Sequence, residues 1–152
     1  MSADESCPAA PLRAAPAALA VSPFAAVAAM FFAFGVDLGM WSGAAAVVLL
    51  RVGVGAAGYG VALTLFACAY LFAMSSAGVV SRRFTVKRTL ICAALASGPA
   101  LAWLLFVDRP LALFVALPLY GFFAGAVDLT MNAVGARIER GLGRPILARL
   151  HG

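Results

Sequence analysis

The sequence predicts an all-α membrane protein of four antiparallel transmembrane helices. Three observations predict it. Hydrophobic residues make up 64% of the 152 residues, and the mean hydropathy is +1.03, both beyond the balance of a soluble domain. Charged residues make up only 11%, too little polar surface to coat a globule in water. The apolar residues also fall into four runs, each near the roughly 20 residues that cross hydrocarbon as a helix. Strands fail on length, whereas a helix satisfies its own backbone groups in lipid.

In chain order, residues 1–22 are rich in Ala and Pro and read as a disordered cytoplasmic tail. The acidic start (Asp4, Glu5) and the long apolar run behind it do not fit a secretory signal. The four spans are about 23–50, 56–80, 89–107 and 111–136. The first contains one charge, Asp37, and the fourth one, Asp128; the second and third contain none. The separators 51–55, 81–88 and 108–110 are short, so neighbouring spans run antiparallel. Residues 137–152 read as a cytoplasmic loop or a truncated end.

Lys and Arg set the expected orientation. Arg13, Arg82, Arg83, Lys87, Arg88, Arg137, Arg140, Arg144 and Arg149 fall on one side, and only Arg51 and Arg109 on the other. This asymmetry predicts both termini in the cytoplasm, in the inner (plasma) membrane of the cell, and disfavours a dual-topology protein. The net charge of +5 lacks the basic stripe with interleaved aromatics of a nucleic-acid surface, so nucleic acid is not an expected partner. Cys7, Cys68 and Cys92 have no metal spacing, and a lone His151 makes no metal site. No phosphate loop, paired His-Glu motif or Ser-His-Asp set is present. Neither an enzyme nor a cofactor is expected.

In the fourth span Gly121, Gly125, Asp128, Asn132, Gly135 and Glu139 recur at steps of three and four. They therefore share one helical face. Close packing through Gly121 and Gly125, with Asn132 bonding across to a neighbour, is one reading of this face. It explains Asp128 poorly, because a charge at bilayer depth costs roughly 2.5–3.5 kcal/mol even on the lenient insertion scale. A gating or transport role is the other reading. In the first span Gly35, Gly39 and Gly43 share a face. Asp37 points roughly 200° from Gly35, at about 100° per residue, on the side of Ala33, Met40, Trp41 and Ala44. The glycine face is expected to pack and the Asp37 face to open to a cavity. Trp41, Tyr59, Trp103 and Tyr120 are interface anchors or cavity walls, with Tyr59 and Trp103 assigned to the interfacial belt.

The stretch Gly78-Val-Val-Ser-Arg-Arg-Phe-Thr-Val-Lys-Arg-Thr-Leu90 resembles the signature between helices two and three of the major facilitator superfamily. Gly78, Ser81, Arg83, Phe84, Lys87, Arg88 and Leu90 match. Arg82 stands where that family has Asp, and Thr85 where it has Gly. Gly125-Ala-Val-Asp128-Leu-Thr-Met131-Asn132 resembles the end of helix four in a bacterial branch, and Glu139-Arg140 onward its following loop.

The resemblance implies secondary, proton-coupled transport of a small solute. It assigns Asp37, Asp128, Asn132 and Trp41 to substrate or proton coupling. Gly78, Arg82, Arg83, Lys87, Arg88, Glu139 and Arg140 become gating residues. It covers helices one to four of an expected twelve, so the chain is expected to be an amino-terminal fragment. Its partners are then the lipid bilayer, a small-molecule substrate, protons and the missing remainder of the transporter. A small dimeric four-helix exporter and a non-transporting membrane accessory protein are the alternatives.

Overall fold

The computed structural model describes residues 22–143 and 145–151. Most of the expected tail, with Cys7 and Arg13, lies outside the described residues, as do Arg144 and Gly152. The described chain forms four long helices, α1 (Pro23–Val52), α2 (Ala56–Phe84), α3 (Val86–Phe106) and α4 (Pro110–Leu142), then a short α5 (Leu147–His151). All four long helices are long and apolar enough to cross a membrane. The fold is an all-α membrane bundle with no strand among the described residues.

Local chemistry accounts for the helix ends. Ser22 caps α1 by accepting from the Ala25 amide at 3.1 Å, and Pro23 follows at the first turn, where its missing N–H costs nothing. Gly53 and Gly143 end α1 and α4 at φ 72° and 64°, the left-handed conformation that glycine adopts without a Cβ penalty. At the other end of the bundle from the basic connection, Arg51 donates to the Leu105 carbonyl at 2.8 Å. It thereby satisfies one of the orphan carbonyls at the end of α3.

Two expectations about connections need correction. Residues 81–88 are not a loop: α2 continues to Phe84, α3 begins at Val86, and Thr85 alone separates them. Arg82 and Arg83 end the apolar run but not the helix, because Arg is a good helix former and a cation suits a helix C-terminus. The described residues from 137 onward are likewise mostly helical, since α4 runs to Leu142 and α5 follows. At about 1.5 Å per residue α4 is about 50 Å long, well beyond a hydrocarbon core of about 30 Å.

The central helix is α4. Half of its most apolar stretch is buried, against 11% for α1 and for α2. It runs parallel to α2 along a seam of small residues. A Cβ on Gly121 would lie 2.7 Å from the Phe66 ring and 2.9 Å from the Phe66 carbonyl, and one on Gly125 would collide with the Tyr70 carbonyl. Two glycines four residues apart therefore meet two α2 residues four residues apart, which lets the backbones approach closely. The core has two parts. One gathers Trp41, Val48, Leu101, Leu104, Leu113, Leu117 and Tyr120; the other gathers Ala73, Ala77, Leu90, Ala126, Val127 and Met131 nearer the basic connection.

The packed face of α1 is not its glycine face. Val27, Trp41, Ala45, Val48 and Val52 are its buried residues, and Asp37 lies along the same stripe, four residues before Trp41. Gly35, Gly39 and Gly43 are exposed, and a Cβ on any of them would meet nothing within 4 Å.

Candidate functional site

Asp37 sits where α1, α3 and α4 converge. Ser97 of α3 donates to its Oδ2 at 3.0 Å, and Tyr120 of α4 donates to the same oxygen at 3.1 Å. Ser97 and Tyr120 are both buried, so each hydroxyl gains a strong acceptor in place of water. The carboxyl also lines a cavity of about 230 Å³ whose walls include Met30, Phe34, Ala94, Ser97 and Val127. An acid at this depth that faces a cavity is the arrangement expected of a functional group rather than a packing element.

Asp128 is held differently. Tyr70 of α2 donates to its Oδ2 at 2.8 Å. The Asn132 amide donates to its Oδ1 and to its backbone carbonyl, each at 2.9 Å. Asn132 therefore bonds back to its own helix rather than across to a neighbour, because i and i+4 on one face are the nearest available pair. Both carboxyl oxygens of Asp128 are engaged, and Asp128 is not among the residues lining the Asp37 cavity. The two acids thus occupy separate sites. A run of rings joins them: Phe66 lies 5.8 Å from Tyr70 and 6.1 Å from Tyr120, centroid to centroid.

Trp41 is 6% exposed and packs in the core. It is absent from the walls of the Asp37 cavity. Of the aromatic residues, Tyr120 is fully buried while Trp103 is 45% exposed. Tyr70 and Ser97 were not singled out from the sequence. Ser97 had a usable signal: it is the one hydroxyl side chain in the apolar run from Leu90 to Val107.

The basic end carries the remaining candidates. Arg82, Arg83, Lys87, Arg88 and Arg140 are exposed, and the one ion pair among the described residues, Asp108 with Arg109, lies at the opposite end. A Cβ on Gly78 would meet only Leu129, at 3.9 Å, so packing does not demand glycine there. Thr85 does have a demanding backbone, with φ 113° and ψ 142°. The family's glycine position thus coincides with the described chain's only non-glycine residue in the left-handed region. Glu139 accepts the backbone N–H groups of Ile146 at 2.8 Å and Leu147 at 2.9 Å. This folds the turn after α4 back, so that Ile146 is 2% exposed and Leu147 packs on Gly135. No cluster of metal-ligating side chains occurs among the described residues.

The fold and these sites define a multi-pass helical membrane protein with two hydrogen-bonded acids inside its bundle. The chain is 28% identical over 131 residues to an uncharacterized transporter of Sinorhizobium fredii, a match covering 86% of this chain and 35% of that protein. It is 24% identical over 122 residues to an uncharacterized transporter of major facilitator (MFS) type from Yersinia pestis, covering 80% of this chain and 32% of that protein. The chain is thus similar to two transporters, one of them of major facilitator type, and spans about a third of their length. No family profile and no solved structure matches it.

Proposed function

We propose that this chain supplies helices one to four of a longer, proton-coupled secondary transporter of a small solute, with Asp37 as the coupling acid. The observation that carries the reading is the Asp37 carboxyl, held by Ser97 and Tyr120 on one oxygen while facing a cavity of about 230 Å³. A carboxyl so placed can exchange a proton or a hydrogen-bonding substrate with the cavity, while the two hydroxyls keep its position. Asp128 has both oxygens engaged on α2 and α4. Its role in this reading is to hold these helices together. The named relatives support transport in general.

The basic end acts in gating. Thr85 is the single break between α2 and α3, so Gly78, Arg82, Arg83, Lys87 and Arg88 move with one helix or the other. Glu139 anchors the turn after α4, with the exposed Arg140 next to it in the chain. The excess of Lys and Arg at this end supports an orientation with this end and both termini on the cytoplasmic side of the inner membrane.

The test is substrate-driven proton movement. A full-length transporter containing this segment is reconstituted in liposomes with an internal pH dye and challenged with sugars, organic acids and cationic drugs. Asp37→Asn, which keeps the shape and removes the titration, should abolish solute-dependent acidification and leave the fold intact by circular dichroism. Unchanged acidification in Asp37→Asn would remove Asp37 from the mechanism.

A further inference from the structure

A second cleft, of about 580 Å³, opens between α1, α3 and α4 on the basic side of the Asp37 cavity. We propose that it binds one anionic phospholipid, with the phosphate at Lys87 and Arg137 and an acyl chain along the groove below them.

The lining has two chemistries. Lys87 and Arg137 are its only charged residues, and Met30, Ile91, Leu95 and Val134 form apolar walls. Lys87 lies in the first turn of α3 and Arg137 near the end of α4. Because these helices are antiparallel, both cations stand at the same end of the bundle. Both are exposed. Among the described residues no carboxylate lines the cleft, and the one ion pair is at the other end. No described acid pairs with either cation, and the N-terminus of α3 adds a favourable dipole for a negative group. Arg82, Arg83, Arg88 and Arg140 keep the rest of this end positive.

The depth of the groove decides what kind of anion fits. From Lys87 to Leu95 is eight residues, or about 12 Å along α3. One leaflet of a hydrocarbon core about 30 Å thick is about 15 Å deep. The apolar wall therefore runs about one acyl chain's depth from the cations. A free phosphate would use the mouth and leave the wall unused. A phospholipid uses both, and basic pockets between helices are known lodgings for anionic headgroups. Ile91 and Leu95 are 47% and 72% exposed, so in this chain the groove is open along its side.

The experiment is native mass spectrometry of the purified full chain in detergent, titrated with phosphatidylglycerol or with phosphatidylcholine of the same acyl chains. The wild type should retain phosphatidylglycerol preferentially. Each cation is worth about a five-fold change in affinity, so Lys87→Gln with Arg137→Gln should lose about 25-fold for phosphatidylglycerol and little for phosphatidylcholine. The charge-conserving pair Lys87→Arg with Arg137→Lys should restore most of the preference. Arg149→Gln, at the same end but outside the cleft, should change it less than about two-fold. If the double variant does not fold, the single substitutions read the same effect at about five-fold each. Equal retention of the two lipids by the wild type would overturn the proposal. So would undiminished phosphatidylglycerol retention in the double variant, its full displacement by millimolar inorganic phosphate, or a dimer whose formation expels the lipid.

Discussion

Thr85→Gly should make this protein more stable, an unusual direction for a change to glycine. Thr85 is the only described non-glycine residue with positive φ, at 113°, and a β-branched side chain makes that conformation a true outlier. A residue so placed carries about 1–3 kcal/mol of strain. It is held there because one residue ends α2 and begins α3. Its N–H donates to Ser81 O at 3.2 Å, its carbonyl accepts from Thr89 N at 3.1 Å, and its hydroxyl accepts from Arg88 N at 3.3 Å. Glycine keeps both backbone bonds and removes the strain. Against this, replacing a capping hydroxyl by glycine costs a few tenths of a kcal/mol, and the freer unfolded chain costs about 0.4–1 kcal/mol. The net is a gain of about 1 kcal/mol. Thr85→Ala loses the cap, about 1 kcal/mol, and keeps a Cβ in the disfavoured region, so it should be destabilising. Reversible unfolding by dodecyl sulfate in mixed micelles, followed by far-ultraviolet circular dichroism, measures both. If glycine and alanine shift the midpoint the same way, the strain argument fails.

Other expectations follow from the packing. Gly125→Ala should destabilise by about 1–3 kcal/mol in the same assay, because its Cβ meets the Tyr70 backbone, which cannot rotate away. Gly39→Ala has nothing within 4 Å and should be neutral or better; equal losses at both sites would contradict the α2–α4 seam. Tyr70→Phe removes the donor to Asp128 Oδ2 and should cost about 1 kcal/mol, while wild-type stability would mean that bond holds nothing. Reporter fusions at the carboxyl end should fluoresce as green fluorescent protein and be inactive as alkaline phosphatase; the opposite pattern would reverse the orientation.

The four helices were legible because crossing hydrocarbon is a matter of length and composition, and both are written locally in the chain. Asp37 and Asp128 stood out for the same reason, as lone charges in apolar runs. Thr85 was visible as a departure from the family's glycine, but the sequence carries no φ, and the meaning of that departure waited on the backbone. Tyr70 and Ser97 are ordinary hydroxyl residues until α2 and α3 bring them to the acids, 58 and 60 positions away along the chain.

The first helix shows where local reading stops. In water its two faces would differ, since only one could be apolar, and the pattern would tell which one packs. In lipid both faces are apolar, and small residues occur on each side of α1, with Gly35, Gly39 and Gly43 on one and Ala45 on the other. Nothing in that pattern distinguishes a face against lipid from a face against protein. The choice was made by α3 and α4, whose Ser97 and Tyr120 hydroxyls can satisfy Asp37 only if its stripe turns inward. Composition and span length were enough to put this chain in a membrane as four helices. Which side of α1 faces its neighbours, and so where the acid lies, required those neighbours to be in place.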